Sequence, residues 1–308
     1  MHVTIVIPTF NRAALLAGGI EAALAQTHCD LSVLVLDDGS TDRTAERLAA
    51  FRNNPRVAWV RLARSSGAAA AKNLGLLLAR GEAVGFHACD DIPARAKIAA
   101  QLEALARYRR AAAPALDGRA IRPEPAADLR PDVVLTGHVA IGCDGSEEVV
   151  DRPDWIEDRS ADARLDAAAP ARRPLVDAGL FRREVFRRLG GFAKGVDEDR
   201  DMRARIRAAG GVVGFVPHPL LTRFERSSLR SVDMAPDERG ARPVGDAAAA
   251  DPPRTTPRQP VVLGTLAVAE VHSHRPLRID PAVPVRGFHP SLARFGLVDE
   301  RAPAAAGA

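Results

Sequence analysis

The sequence predicts an α/β fold: a mostly parallel central sheet flanked by helices. Three observations carry that expectation. Over residues 1–107, short β-branched runs alternate with amphipathic stretches of helical length, the pattern of strand–helix units. The second of these runs ends in Asp37-Asp38-Gly39-Ser40-Thr41-Asp42 and passes straight into a helical stretch. The chain has 308 residues, 46% of them hydrophobic, enough for one large or two modest cores.

Taken in order, 3–7 is a buried-strand run, 13–25 a helix, 31–36 a strand and 41–52 a helix capped by Ser40 or Thr41. Residues 57–62, 68–80, 83–86 and 94–107 continue the alternation, giving four strand–helix pairs. Residues 109–131, rich in Ala, Arg and Pro without a period, read as a surface excursion. A strand resumes over 132–141, Asp144-Gly145 turns it into 147–150, and 153–174 is a polar connection with the character of a lid. The next ordered block comprises 175–180, a helix over 182–188, a break at Gly190-Gly191, a helix over 198–209 and a strand over 212–216. Beyond 227 the chain fills with Pro, Gly, Ala and charge, and only 261–271 again looks like a strand, so this tail reads as a mobile appendage or a loose cover.

Composition excludes several classes. The formal charge is +4, yet 39 acidic residues are interspersed with 43 basic ones and aromatics are only 4%, which does not favour nucleic-acid binding. No run approaches the ~20 apolar residues of a membrane-spanning helix. The sequence opens directly into Val3-Thr4-Ile5-Val6-Ile7, so a signal peptide is not expected and a cytoplasmic location is, with peripheral membrane contact left open. Three cysteines, Cys29, Cys89 and Cys143, are far apart and odd in number, which excludes a disulfide framework or a cysteine zinc site and leaves buried thiols as the plain reading. Only Lys72, Lys97 and Lys194 among the basic residues are lysines, so these carry more weight than the arginines.

The chemistry-bearing residues cluster after strands. In an open parallel sheet ligands sit at the carboxyl ends of strands, where Asp37 and Asp38 can accept hydrogen bonds from a ribose or a base; a helix cap explains Ser40 or Thr41 but not two acids. The first strand ends in Pro8-Thr9-Phe10-Asn11-Arg12, with neither the glycine fingerprint of dinucleotide folds nor, anywhere, a phosphate-binding G-x-x-x-x-G-K-[ST] loop. The fourth strand delivers Asp90-Asp91, well placed for a hard divalent cation bridging to a diphosphate; such a pair alone is more often a solvated cap, but in register with Asp37-Asp38 on the same sheet edge the metal reading is the stronger one. Last, Asp197-Glu198-Asp199-Arg200-Asp201 opens a helix; the helix dipole accounts for most of these acids, and one can still serve as a base taking a proton from an attacking hydroxyl.

Residues 3–12, 37–42, 67–75 with Lys72-Asn73, 90–93 with Lys97, and 190–205 with Gly210 together resemble the successive motifs of the family 2 glycosyltransferases of the GT-A fold. The resemblance covers roughly residues 1–225. It implies a nucleotide-sugar donor, UDP-linked by preference, a Mg²⁺ or Mn²⁺ ion on the diphosphate, and an inverting single displacement. Residue by residue, it implies that Pro8, Thr9 and Asp37 or Asp38 line the nucleoside pocket, that Lys72 lies near the base or phosphates, and that Asp90, with Asp91 as helper, holds the metal. Asp199, with Glu198 as the other candidate, matches the acid pair that includes the base. The sequence departs from the pattern at the first Asp of the D-x-D motif, which is Ala88. His87 is a candidate to compensate for Ala88 and is equally well read as a strand residue facing a helix; His218 is a further metal candidate, although a lone His after a strand is more often structural.

The expectation is therefore an enzyme moving a sugar to an acceptor hydroxyl of a glycan, a lipid-linked or a small molecule. Residues 1–107 are expected to be the nucleotide-sugar-binding half, 108–226 the acceptor and catalytic half, and 227–308 a Pro/Ala-rich extension. A non-catalytic nucleotide-sugar-binding or scaffold protein is the alternative that Ala88 suggests. A sugar nucleotidyltransferase ranks lower, because it calls for a Gly-rich basic loop where Pro8 to Arg12 stand.

Overall fold

The computed structural model describes residues 1–107, 131–150, 176–193, 198–224, 261–262, 268–280, 285–286 and 298–299. The first half runs β1 (Val3–Thr9), α1 (Ala13–Leu24), β2 (Leu31–Asp37), α2 (Thr44–Ala49), β3 (Val57–Leu62), α3 (Ala68–Leu78), β4 (Ala83–Phe86), β5 (Ile92–Pro93) and α4 (Lys97–Arg107). Then come β6 (Val133–Ile141), β7 (Glu147–Val150), β8 (Leu180–Arg182), α5 (Arg183–Leu189), α6 (Glu198–Ala208) and β9 (Val213–Phe224). The described tail adds β10 (Val261–Val262), β11 (Val268–His272), β12 (Arg278–Ile279), β13 (Val285–Arg286) and β14 (Val298–Asp299). The predicted alternation over 1–107 holds, with strand and helix ends shifted by a few residues.

Nine strands follow the order β11-β3-β2-β1-β4-β8-β6-β9-β5 and β7 pairs with β6. β3, β2, β1 and β4 are mutually parallel, Val3 facing Leu31 on one side and Ala83 on the other. β8 runs antiparallel to both β4 and β6, and β6 is parallel to β9. Since β1 lies between β2 and β4, the chain leaves β1 toward one edge of the sheet and β4 toward the other, and the crevice of such a switch point lies at the carboxyl ends of those two strands.

Alternate residues feed two cores. Ile5, Ile7, Val33, Val35 and Trp59 pack with Leu16 and Ile20 of α1, Leu48 of α2 and Ile98 and Leu105 of α4. Val6, Leu34, Leu36, Val60 and Phe86 pack with Leu74 and Leu77 of α3, Val185 and Phe186 of α5, and Met202 and Ile206 of α6. Strands covered on both faces are why these runs are continuously apolar rather than alternating. Gly75 allows the close approach of α3: a Cβ there would lie 2.5 Å from Val6 Cγ1.

Three expectations change. The second helix starts at Thr44, not 41, because Ser40 and Thr41 bond to Asn11 across the loop while Asp42 Oδ1 accepts from the Thr44 N–H (3.0 Å). Cys89 is buried, but Cys29 and Cys143 are exposed. The tail expected to be an appendage or loose cover contributes, over 268–280, an edge strand and core. β11 pairs antiparallel with β3, Glu270 accepts from Trp59 Nε1 (3.1 Å), His272 stacks on Trp59 with ring centroids 4.1 Å apart, and Leu277 and Ile279 are buried. The lid expected over 153–174 lies outside the described residues.

Candidate active site

The rim of the crevice is built by two loops that bond to each other. After β1 the backbone turns at Asn11, whose φ of +49° is a conformation that Asn tolerates better than most residues. Asn11 N–H donates to Ser40 Oγ (2.8 Å), and Asn11 Oδ1 accepts from Thr41 N–H (2.9 Å). Asp42 Oδ2 accepts from Ala13 N–H (2.9 Å), so the starts of α1 and α2 share one carboxylate. Gly39, at φ +81°, is required here, since a Cβ would sit 2.5 Å from the backbone carbon of Arg64.

Asp37 and Asp38 differ from the simple ligand-facing expectation. Asp37 is fully buried; its Oδ1 accepts from Ser40 N–H (2.9 Å) and its Oδ2 from Arg61 Nε (2.8 Å). Asp38 accepts from Ser65 Oγ (2.7 Å), Ser66 N–H (2.8 Å) and Gly67 N–H (2.8 Å), and its own N–H donates to Thr9 carbonyl (2.9 Å). The acids thus fix the floor of the crevice, joining β1, β2 and the loop that leads into α3. Thr9 is buried at the end of β1, with Pro8 half-buried beside it.

At the end of β4, Ala88 and Asp90 are half-buried and sit in a turn closed by Asp91 N–H to Ala88 carbonyl (3.1 Å). Cys89 between them is buried, and burial with the neighbouring Asp90 charge pushes its thiol up to about 11. Asp91 turns inward instead: it is 6% exposed, with Arg223 Nε of β9 at 3.6 Å. That carboxylate thus faces a guanidinium of β9, while Asp90 beside it stays half-buried. His87 is also buried, and burial beside the Lys97 charge holds its ring down to about 4, so it is neutral at ordinary pH. His218 is exposed on β9, at the irregularity where β6 and β9 shift register.

Among the described residues no group of three His, Cys, Asp or Glu is arranged to hold a metal ion. Asp90 alone suits a cation whose remaining ligands come from a substrate's phosphates, the usual way Mg²⁺ is held by one or two carboxylates.

The second half meets α3 through the segments flanking α5. Asn73 donates from Nδ2 to Phe192 carbonyl (2.9 Å) and accepts Phe192 N–H at Oδ1 (2.7 Å), a two-point clamp on the segment leading to α6. Lys72 is 7% exposed; its Nζ lies 4.0 Å from Asp177 Oδ1 and 5.8 Å from the centre of the Phe192 ring. Lys72 therefore binds the two halves together, a role the sequence did not announce. Asp177 Oδ2 is also 3.9 Å from Arg223 Nη2, and buried Lys97, its pKa lowered by burial to about 8, feels both Asp177 and Asp91. Two acids and three cations from five segments thus make a buried charge lattice behind β4 and β9.

Asp199, half-buried in the first turn of α6, accepts at Oδ1 from Val176 N–H (2.7 Å), next in sequence to Asp177. Asp201 is bound to Arg205 (2.6 Å), which itself donates to the carbonyls of Leu189 and Gly191, so this acid holds the Gly190-Gly191 turn in place. The Glu198 side chain lies outside what the structure describes. Of the two acids at this helix start whose side chains are described, Asp199 accepts from the approach to β8 and Asp201 from Arg205 of its own helix. Asn11 and Asn73, which organise the site most directly, were visible in the sequence only as members of motifs.

Residues 4–123 match the sequence model of the family described as Glycosyl transferase family 2. A protein of Rickettsia felis named an uncharacterized glycosyltransferase is 36% identical over 101 residues, which are 33% of this chain and only 17% of that protein. Among solved structures, TarS 1-349 of S. aureus in complex with UDP-GlcNAc superimposes with a TM-score of 0.52 and 16% identity, over 77% of this chain and 63% of that one. Mannosyltransferase PcManGT from Pyrobaculum calidifontis, in complex with GDP-Man and Mn²⁺, does so with a TM-score of 0.50 and 23% identity, over 73% of this chain and 56% of that one. Both likenesses are of fold.

Proposed function

We propose that this chain, whose residues 4–123 match the family 2 glycosyltransferase model and whose fold resembles those of TarS and PcManGT, transfers a sugar from a nucleoside-diphosphate donor to an acceptor hydroxyl with inversion. The observation that carries this reading is Asp199: a carboxylate held by the Val176 N–H at the start of α6, on the half of the molecule that Asn73 and Lys72 tie to the crevice. In the reaction, Asp199 accepts the proton of the acceptor hydroxyl as that oxygen bonds to the anomeric carbon, and the bond to the diphosphate breaks on the opposite face. General-base action of this kind contributes ~10²–10⁴-fold.

Pro8 and Thr9, with the loop that Asp37 and Asp38 brace, form the nucleoside wall. UDP is the preferred nucleotide, in line with UDP-GlcNAc in TarS, and GDP is the competitor, in line with GDP-Man in PcManGT. Asp90 would hold a Mg²⁺ or Mn²⁺ ion together with the donor's phosphate oxygens. Such an ion supplies charge neutralisation for the leaving diphosphate. The acceptor is a glycan, a lipid-linked or a small hydroxyl compound, and no helix among the described residues is long and apolar enough to cross a membrane. Ala88 favours one competing reading, a nucleotide-sugar-binding protein without turnover.

Thermal denaturation of the full chain with a panel of nucleotide sugars, with and without Mn²⁺, tests the donor; release of free nucleotide in the same samples tests turnover. A donor at a hundred times its dissociation constant stabilises by about 2.7 kcal/mol. Stabilisation with turnover supports transfer, stabilisation without turnover for any acceptor supports the binding protein, and no stabilisation by any nucleotide sugar removes both.

A further inference from the structure

A second opening lies at the other end of the sheet, at the amino ends of the parallel strands. A cavity of about 300 Å³ is lined by Thr4 of β1, Ser32 of β2, Arg56 ahead of β3, Arg80 after α3, and Ser273 and Arg275 of the turn after β11. That volume is at the lower end of small-ligand pockets. β1 spans seven residues, which at ~3.3 Å each puts this cavity about 20 Å from the crevice.

Three arginines converge on it. Among the described residues, Arg61 pairs with Asp37 and Glu270, Arg183 and Arg187 with Asp280, Arg188 with Asp132, and Arg205 with Asp201. Among the described residues Arg56, Arg80 and Arg275 make no such ion pair; Arg56 donates to the Leu24 carbonyl at 3.3 Å and Arg80 to the Pro276 carbonyl. The one acid in the lining, Asp30, is bonded to His2 Nδ1 at 2.8 Å. Arg80 is held below its usual pKa by burial and by the positive charges of Arg275 and Arg278, a repulsion that an anion would relieve. A guanidinium carries five N–H donors in a fork that suits phosphate oxygens, and one carbonyl contact uses only one of them.

We infer that this cavity is a binding site for the phosphoryl group of a small phosphate ester, held by Arg56, Arg80 and Arg275 and separate from the donor crevice. Its occupant would also tie the turn after β11 to the amino ends of β1 to β3, and so fasten the edge strand. The inference does not depend on the proposed transfer reaction.

Calorimetric titration of the full chain with inorganic phosphate, at constant ionic strength, tests it, beside sedimentation with phosphatidylcholine vesicles containing phosphatidic acid. The expected result is saturable phosphate binding, about ten-fold or more weaker in Arg275→Glu and in Arg80→Gln, with stabilisation by nucleotide sugar unchanged in both. Vesicle binding that both variants lose, with little binding of free phosphate, assigns the same phosphoryl site to a lipid headgroup. Because Arg80 also anchors the Pro276 carbonyl, the exposed Arg275 position decides the matter if Arg80→Gln unfolds. No saturable binding of phosphate or vesicles, or binding that Arg275→Glu leaves untouched, overturns the site.

Discussion

Asp38 accepts three hydrogen bonds from Ser65, Ser66 and Gly67, so Asp38→Ala leaves two backbone N–H groups and a hydroxyl without their acceptor. Ser65 and Gly67 are exposed and Ser66 half-buried, so water replaces part of what is lost; at roughly 0.5–1.5 kcal/mol net per bond, urea denaturation is expected to show a loss of about 1–3 kcal/mol with weakened donor binding, because the crevice floor loosens. A fall in donor binding with no loss of stability would mean that Asp38 acts as a ligand and not as a brace. His87 gives a pH signature. Its folded pKa, about 4, lies below the usual 6.5, so between those values the unfolded chain binds a proton that the folded chain does not. This term therefore erodes stability as pH falls from 6.5 to 4 and adds no further loss below that. His87→Leu is expected to flatten this part of the stability curve, measured by urea midpoints at half-unit pH steps. Asp90→Ala should abolish the positive coupling between Mn²⁺ and donor, which calorimetry reads as equal factors in the two affinities; a coupling that survives would place the cation elsewhere. The acids after β2 and β4 stood out in the sequence because they follow apolar runs. Their partners, Arg61, Ser65 and Arg223, lie 24 to 132 positions away and carry no local signal.

At the scale of elements, the joint between α3 and the segment before α6 rests on Asn73. Asn73→Ala removes both bonds to Phe192. The expected outcome is a stability loss of roughly 1–3 kcal/mol and a fall in kcat larger than any change in donor affinity, since Asp199 is carried on the far side of that joint. An equal fall in both would mean that α3 serves the donor directly. β11 gives the complementary case. Val271→Pro, opposite Val60, breaks its pairing with β3, and hydrogen exchange should then speed up in β3 while β1 and β4 stay protected. The helices and strands of the first 107 residues were legible because their period is unbroken. β11 was half legible: its apolar run suggested a strand, but pairing with β3, about 200 residues earlier, depends on Trp59 meeting His272 and Glu270, which no local pattern reports. The second helix was misplaced by three residues because Ser40 and Thr41 look like caps and serve instead to bond Asn11.

At the scale of the whole molecule, one sheet joins the parallel strands β3, β2, β1 and β4, which frame the crevice, to a mixed half of β8, β6 and β9, beside which α6 carries the proposed base. The first was readable from alternation and the second chiefly from its resemblance to a family, because 153–174 and 227–260 have too little pattern to locate them. The buried lattice of Lys72, Lys97, Arg223, Asp91 and Asp177 was invisible for the same reason: its members come from five separated segments, and only their burial makes them a unit. The central claim is that Asp199 acts as the base in sugar transfer. It is tested most directly by comparing nucleotide release per enzyme in wild type and Asp199→Asn, with donor affinity measured on the same samples. The predicted result is a fall in turnover of ~10²–10⁴-fold with donor affinity nearly unchanged; wild-type turnover in Asp199→Asn, with the loss appearing instead in Glu198→Gln, would contradict it.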